Sequence, residues 1–482
     1  MKTLHLAIMV AILSAFPIGT SFGIPDMTPH FQPTDITAHG NNVFLLYRHN
    51  GLDFVRSADG GHHFRKPFLI NDVNTTDLWS PQVATSGKHL YISWAERAAG
   101  SLNEQVSLRT SMDNGSTFTP PLVLSDNHTN AQLSQLISSG SHVYVTMTTE
   151  DISSGLSKEN VSFMASSDYG ATFGSPIDLL PNPTHNAGFP PPVLIMVSDD
   201  GKTINVIGEN APDCPTISYG CQNQIFFEKS TDFGSTFSAP KIIHTTNQFI
   251  EDIHAAASGA SVYLVWGEGL NHAYYMKSDN GMVFSPPIMF AKEDVGKFLY
   301  PGFDLAVNGP NVYLTWGHIS YNNPPTLFLV RSQDGGNSFG QPMNLTGSHG
   351  YGTFDLRTYD SSVYVAWSTY QQKSEKTDMI FEKSSDNGTT FGNPINLSTE
   401  VNEDSMNPKM ATSGDNIYVA WGTYFPGDYL VVGSSNDKGV TFANVTDLAS
   451  ASQTVPEFPF TVPVLLTGIT SLIVFHRIVI KK

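Results

Sequence analysis

Cysteine is nearly missing from this chain: Cys214 and Cys221 are the only two in 482 residues. The pair predicts one stapled loop in an oxidising compartment rather than a metal site, because no ligand partners share its spacing. Positive charge is also scarce, with 25 Lys and Arg against 43 Asp and Glu and a formal charge of −18. That balance argues against nucleic acid or anionic lipid as a partner. No arginine occurs between Arg109 and Arg331. Long apolar runs are confined to the two ends.

What fills the space between is a repeat. Ser-x-Asp-x-Gly-x-Thr-Phe recurs eight times, with Asp59, Asp113, Asp168, Asp232, Asp279, Asp334, Asp386 and Asp437 at its acidic position. The fifth copy, Lys277 to Phe284, carries Lys277 where the others have Ser. A period of about fifty residues marks propellers or solenoids. The chemistry is that of a hairpin: Asp accepts backbone N–H groups a few residues on, Gly supplies positive φ, and Phe starts the next strand. A calcium loop of the EF-hand type is the other reading of such residues, but the alternating oxygen ligands and the closing Glu are missing.

Each unit reads as four strands, the second alternating strongly as in Val363-Tyr364-Val365-Ala366-Trp367. Trp94, Trp266, Trp316, Trp367 and Trp421 share that register and are expected to pack between units. Forty glycines and thirty prolines suit many short strands joined by turns. The expected fold is therefore all-β: an eight-bladed propeller of four-stranded antiparallel blades over 34–448, with seven blades as the alternative because the fourth unit is stretched and lacks the Trp.

Residues 1–23 read as a secretory signal, with Lys2 before an apolar stretch and small residues at Ser21-Phe22-Gly23; a retained anchor helix is the alternative. Residues 449–459 form a linker with a Pro-Glu-Phe motif. The apolar run of 460–480, followed by Lys481 and Lys482, is long enough to span a bilayer if Arg477 reaches the interface. Basic residues at its far end predict an extracellular body and a cytoplasmic tail. Asn74, Asn114, Asn127, Asn160, Asn344, Asn387, Asn396 and Asn444 lie in glycosylation sequons, which makes an exported glycoprotein an expectation.

The repeat resembles the Asp-box, or bacterial neuraminidase repeat, of sialidase-like propellers. The tail resembles archaeal PEF sorting signals, which implies either processing or simple anchoring. In this topology the Asp-boxes share one rim with the first hairpin of each unit, so recognition is expected on the opposite, loop-rich rim. First strands should line the channel with Asp35, Gln82, Gln135, His254, Asp304, Asp355 and Lys409. A second set at the mouth comprises His49, Glu96, Glu209, Glu268 and His318.

Both rings satisfy the demand of a watery channel. Alternatively, His254, Asp304 and Asp355 offer oxygen and imidazole ligands to a hard cation such as calcium. The sialidase resemblance implies an arginine triad, a Tyr nucleophile and a supporting Glu. The nearest fit is Arg48, Arg97 and Arg357, with Tyr370 or Tyr424 as nucleophile and Glu96 or Glu268 behind it. The early Phe-Arg-Ile-Pro type motif is absent, so a surface module that binds a glycan or another protein is the preferred expectation, and a sialidase-like glycoside hydrolase its rival. No metal or organic cofactor is required by the binding reading.

Overall fold

The computed structural model describes residues 32–49, 51–71, 75–98, 103–125, 129–151, 158–179, 193–210, 222–269, 272–292, 297–298, 302–320, 323–347, 350–369, 376–399, 401, 403–423, 429–442 and 444–448. The expected leader, linker and apolar tail, and Cys214, Cys221, Tyr370 and Tyr424, lie outside these residues. Among the described residues no helix is long and apolar enough to cross a membrane.

The described strands form eight antiparallel sheets, each built from one continuous stretch of chain. Blade 1 spans 32–69, blade 2 75–123, blade 3 129–178, blade 4 193–246, blade 5 250–292, blade 6 297–344, blade 7 351–396 and blade 8 405–447. Within a blade the strands, A to D, lie side by side in chain order. In blade 6 two short segments, Lys297–Phe298 and Phe303–Asn308, share the strand A position. The fourth unit, despite its stretched sequence, is a complete blade.

Eight apolar clusters hold the ring, one in every seam between neighbouring blades. Strand B contributes to every cluster from both sides of the seam, because both of its faces are covered. Blade 7's Ser362–Thr369 is buried at every position. The five tryptophans of the expected register lie in these seams, and burying such a ring contributes roughly 1.5–3 kcal/mol. The closing seam joins Ile36, Val43 and Leu45 of blade 1 to Tyr418, Ala420 and Val432 of blade 8. Among the described residues no strand is exchanged there, and the ring is shut by side-chain packing and by turn contacts such as Gly40 N–H to Ser413 Oγ at 2.7 Å.

The repeated turn is a fixed hydrogen-bond unit. In blade 2, Ser111 Oγ donates to Asp113 Oδ1 at 2.8 Å and accepts the Gly115 N–H at 2.9 Å. Asp113 Oδ1 also accepts the Ser116 and Thr117 N–H groups, and Oδ2 the Thr117 hydroxyl. Such donors, led by the Thr172 hydroxyl and N–H, hold the equivalent Asp168 down at about 2. Gly115 sits at φ +71° with the Phe54 ring of blade 1 where a side chain would go, so the turn also clasps the preceding blade. Bonds from the tip to the A–B turn of the same blade, as in Asn114 N–H to Lys88 O at 3.0 Å, put both turns on one rim.

The fifth turn corrects the sequence frame by one residue. Val262 pairs with Ser278, just as Leu90 pairs with Ser111 in blade 2, so Ser278 is the true counterpart of the other serines. Asn280 fills the acidic position: its Oδ1 accepts the Ser278 hydroxyl and the Met282 and Val283 N–H groups. Asp279 is left outside that network and pairs with Lys277 Nζ at 2.8 Å. The loop is one residue shorter than its counterparts, and hydrogen-bond register rather than letter pattern decides the alignment.

In five blades the residue before the turn serine shows a second device that the sequence did not reveal. Arg56 donates to Asn114 O at 3.0 Å in the next blade. Lys229, Lys277, Arg331 and Lys383 make the same reach to Asn280, Gly335, Asn387 and Lys438. Arg109, two residues before Ser111, lies over the Phe68 ring of blade 1.

Candidate functional site

The channel wall begins with irregularities in strand A. Register shifts occur in this strand in blades 1, 2, 3, 5, 7 and 8, with Ser80, Asp252 and Asn407 at positive φ. A bulge bends the strand and re-aims the side chain that follows it. Here it turns that side chain toward the neighbouring blade.

The result is a chain of stitches around the axis. Asp35 Oδ2 accepts the Val83 N–H at 2.8 Å, Gln82 Oε1 the Leu136 N–H at 2.8 Å, and Gln135 Oε1 the Ile195 N–H at 2.6 Å. Asp304 Oδ2 accepts the Leu356 N–H at 3.3 Å and Asp355 Oδ2 the Met410 N–H at 2.7 Å. In blade 5 the sequence points to His254, but Asp252 makes the bond, to Phe303 N–H at 2.8 Å. Asp252 Oδ1 meanwhile contacts His254 Nε2 at 3.0 Å, and His254 Nδ1 lies 3.8 Å from Asp304 Oδ1. Asp252 sits at the bulge within strand A, two residues before the counted position, where no constant spacing points to it.

These bonds change what the ring can do chemically. Asp355 gives one oxygen to Met410 and the other to Arg357 Nη1 at 2.7 Å. Burial raises Asp355, with Arg357 opposing the shift. Asp35 is pushed up to about 6 by burial, against the pull of the Val83 N–H and of Lys409. Among the described residues no group of three or more His, Cys, Asp or Glu is placed to hold a metal ion; His254, Asp304 and Asp355 are engaged in interblade contacts. Lys409 is half-buried, and its charge acts on Asp35, Asp355 and His254. Charged side chains thus occupy the wall of blades 5 to 8 and 1, while blades 2 and 3 present amides and blade 4 has Leu194 beside the stitch.

The expected arginines each have a partner of their own. Arg48 donates to the Leu78 carbonyl of blade 2. Arg97 pairs with Glu104 at 2.6 Å and stacks over Trp79. Arg357, on blade 7, bonds Asp355 and the carbonyls of Leu356 and Met410. Arg48 and Arg97 flank the start of blade 2; across the closing seam Arg48 is two blades from Arg357 and Arg97 three.

The mouth glutamates differ from one another. Glu96 is buried and accepts the Ser107 hydroxyl at 3.1 Å. Glu268 is held by His244 Nε2 at 2.6 Å, Trp266 Nε1 at 3.0 Å and Thr246 Oγ1 at 3.0 Å. Burial alone would raise Glu268; these bonds, that from His244 foremost, outweigh it and hold the carboxylate below its ordinary value. Glu209 is half-buried, and burial raises it to about 7. It follows Ile207 on the strand face that packs toward blade 5. His49 lies 4.0 Å from Asp53, and His318 meets Phe328 edge-on.

The fold places the chain among β-propellers of eight four-stranded blades. No family model matches it, and no curated protein sequence does. Its chain path is similar to the BP39L lectin from Burkholderia pseudomallei, with 8% identity over 77% of this chain and 99% of that one and a TM-score of 0.49. It is also similar to an ulvan lyase, with 12% identity, 69% and 88% coverage and a TM-score of 0.47. A leech intramolecular trans-sialidase gives 10% identity, 82% and 88% coverage and a TM-score of 0.39.

Proposed function

We propose that this chain is an exported, surface-anchored Asp-box propeller that binds a glycan or another surface protein at its loop-rich mouth and does not turn it over. The observation that carries this reading is the commitment of the candidate catalytic groups. Arg48, Arg97 and Arg357 are spent on three different partners, and Glu268 accepts three donors. A carboxylate so saturated is a weak base, and arginines without a common focus cannot grip one carboxylate as a fork. Half-buried polar groups such as Lys409 and Glu209 remain to contact a ligand. Anchoring follows from the apolar segment 460–480, and export from the leader-like 1–23.

The test offers the full chain a fluorogenic sialoside and a broad glycoside panel, with glycan-array binding in parallel. No turnover is expected, together with saturable binding of one glycan class or of an isolated surface protein, weakened at least tenfold in Lys409→Ala. Turnover that disappears in Glu209→Gln or Arg357→Ala would overturn the binding reading.

A further inference from the structure

The outer corner of blades 4 and 5, on the Asp-box rim and away from the mouth, departs from the rest of the ring. Seven turn tips carry at least one side chain such as Thr117, Thr236 or Ser338 that bonds the acidic residue. The fifth carries Met282 and Val283, which are 64% and 66% exposed, the most exposed large apolar residues described. Its acidic position is Asn280, and Asp279 is neutralised by Lys277. This tip alone therefore offers an uncharged apolar surface on a rim of carboxylates.

The surface continues outward. Ile288 and Met289 are exposed on strand D of blade 5, and Ile242 on strand D of blade 4. Those two strands, Ile288–Lys292 and Lys241–Thr246, run five and six residues. The D strands of blades 1, 2, 3, 6 and 7 have two residues each. Short outer strands blunt an open sheet edge; long apolar ones invite another chain to pair. Lys241 and Lys229 border the patch and bond the Met282 and Asn280 carbonyls at 2.9 and 3.2 Å. Neither makes an ion pair among the described residues, so both bring positive charge to this corner of a chain of net charge −18.

We infer that this corner is a docking surface for an extended segment of a partner protein, apolar in its middle and acidic at its flanks, added along the open edge of blade 5. Strand addition supplies main-chain hydrogen bonds, and alternate side chains supply the selectivity. Charge complementarity chooses the occupant. An anionic bilayer would meet the acidic tips of the neighbouring blades on the same rim, and a second copy would bring another −18.

Labelled nine-residue peptides of alternating isoleucine and threonine, flanked by aspartates, lysines or serines, are titrated against the full chain by fluorescence anisotropy. The aspartate-flanked peptide is expected to bind at least tenfold more tightly than the lysine-flanked one. The double substitution Met282→Ser/Val283→Thr should weaken it at least tenfold with an unchanged melting temperature, because both residues face solvent. Lys241→Glu should remove the flank preference. Equal binding of the three peptides, or indifference to the double substitution, overturns the inference. So does binding of phosphatidylglycerol vesicles, or a dimer in sedimentation, that the double substitution abolishes.

Discussion

Glu228 and Glu382 are carboxyl groups placed where blades 1, 3, 5 and 6 bury Val55, Met164, Met276 and Val330. Each occupies strand C two residues before a turn serine, buried, with one oxygen lacking a hydrogen bond. Burial raises them to about 8 and about 7. The sign of the consequence follows from proton binding. Between the ordinary glutamate value and these raised values, the folded state holds a proton that the unfolded chain has released. Stability therefore falls as pH rises through that window and levels off above it. Glu228→Gln should flatten this slope and raise Tm at pH 8.5, by roughly 2–4 °C per kcal/mol recovered. A thermal-melt series from pH 5 to 9 decides it, and a parallel slope in the variant would contradict the assignment.

At the scale of the strand, the bulged inner edge is the element that sets neighbouring blades in register. Gln82 shows the economy of the device, its amide accepting the Leu136 N–H and donating to Ser134 O. Gln82→Leu should cost about 1–3 kcal/mol, since a partly buried N–H and C=O lose their partners together; urea unfolding measures it. Glutamate at the same position keeps the acceptor and should lose less. Outside blade 5, where Asp252 takes the role two residues before the counted His254, the positions of these side chains were legible in the sequence, because they fall at a constant distance from the hairpin. Their use was not: the partner is a backbone group in the following blade, and no local pattern encodes it. The same limit hid the reach of Arg56 and Arg331 across a seam, and it misplaced Asp279, whose neighbour Asn280 is chosen by strand register.

For the whole molecule, blade number and strand order were readable because the turn repeats at nearly constant spacing and strand B alternates so regularly. The mouth was less readable, since its loops diverge and carry no shared motif. The closing seam has the same apolar construction as the others, so it should be equally strong. Tyr418→Ala at that seam and Tyr91→Ala between blades 2 and 3 remove equivalent, fully buried rings. Both should cost about 3–5 kcal/mol and leave a single unfolding transition. A markedly milder effect for Tyr418→Ala would mean that the ring does not close in solution as tightly as its other seams.

A join made of side chains alone behaves differently under load from one made of a shared strand. Tension drawn through the two chain ends reaches blades 1 and 8 first and tries to part them face from face. Among the described residues no ladder of backbone bonds has to be sheared there, so the first and last blades separate by peeling. Tension between the two ends therefore bears on the seam between blades 1 and 8 before it reaches the seams of blades 2 to 7.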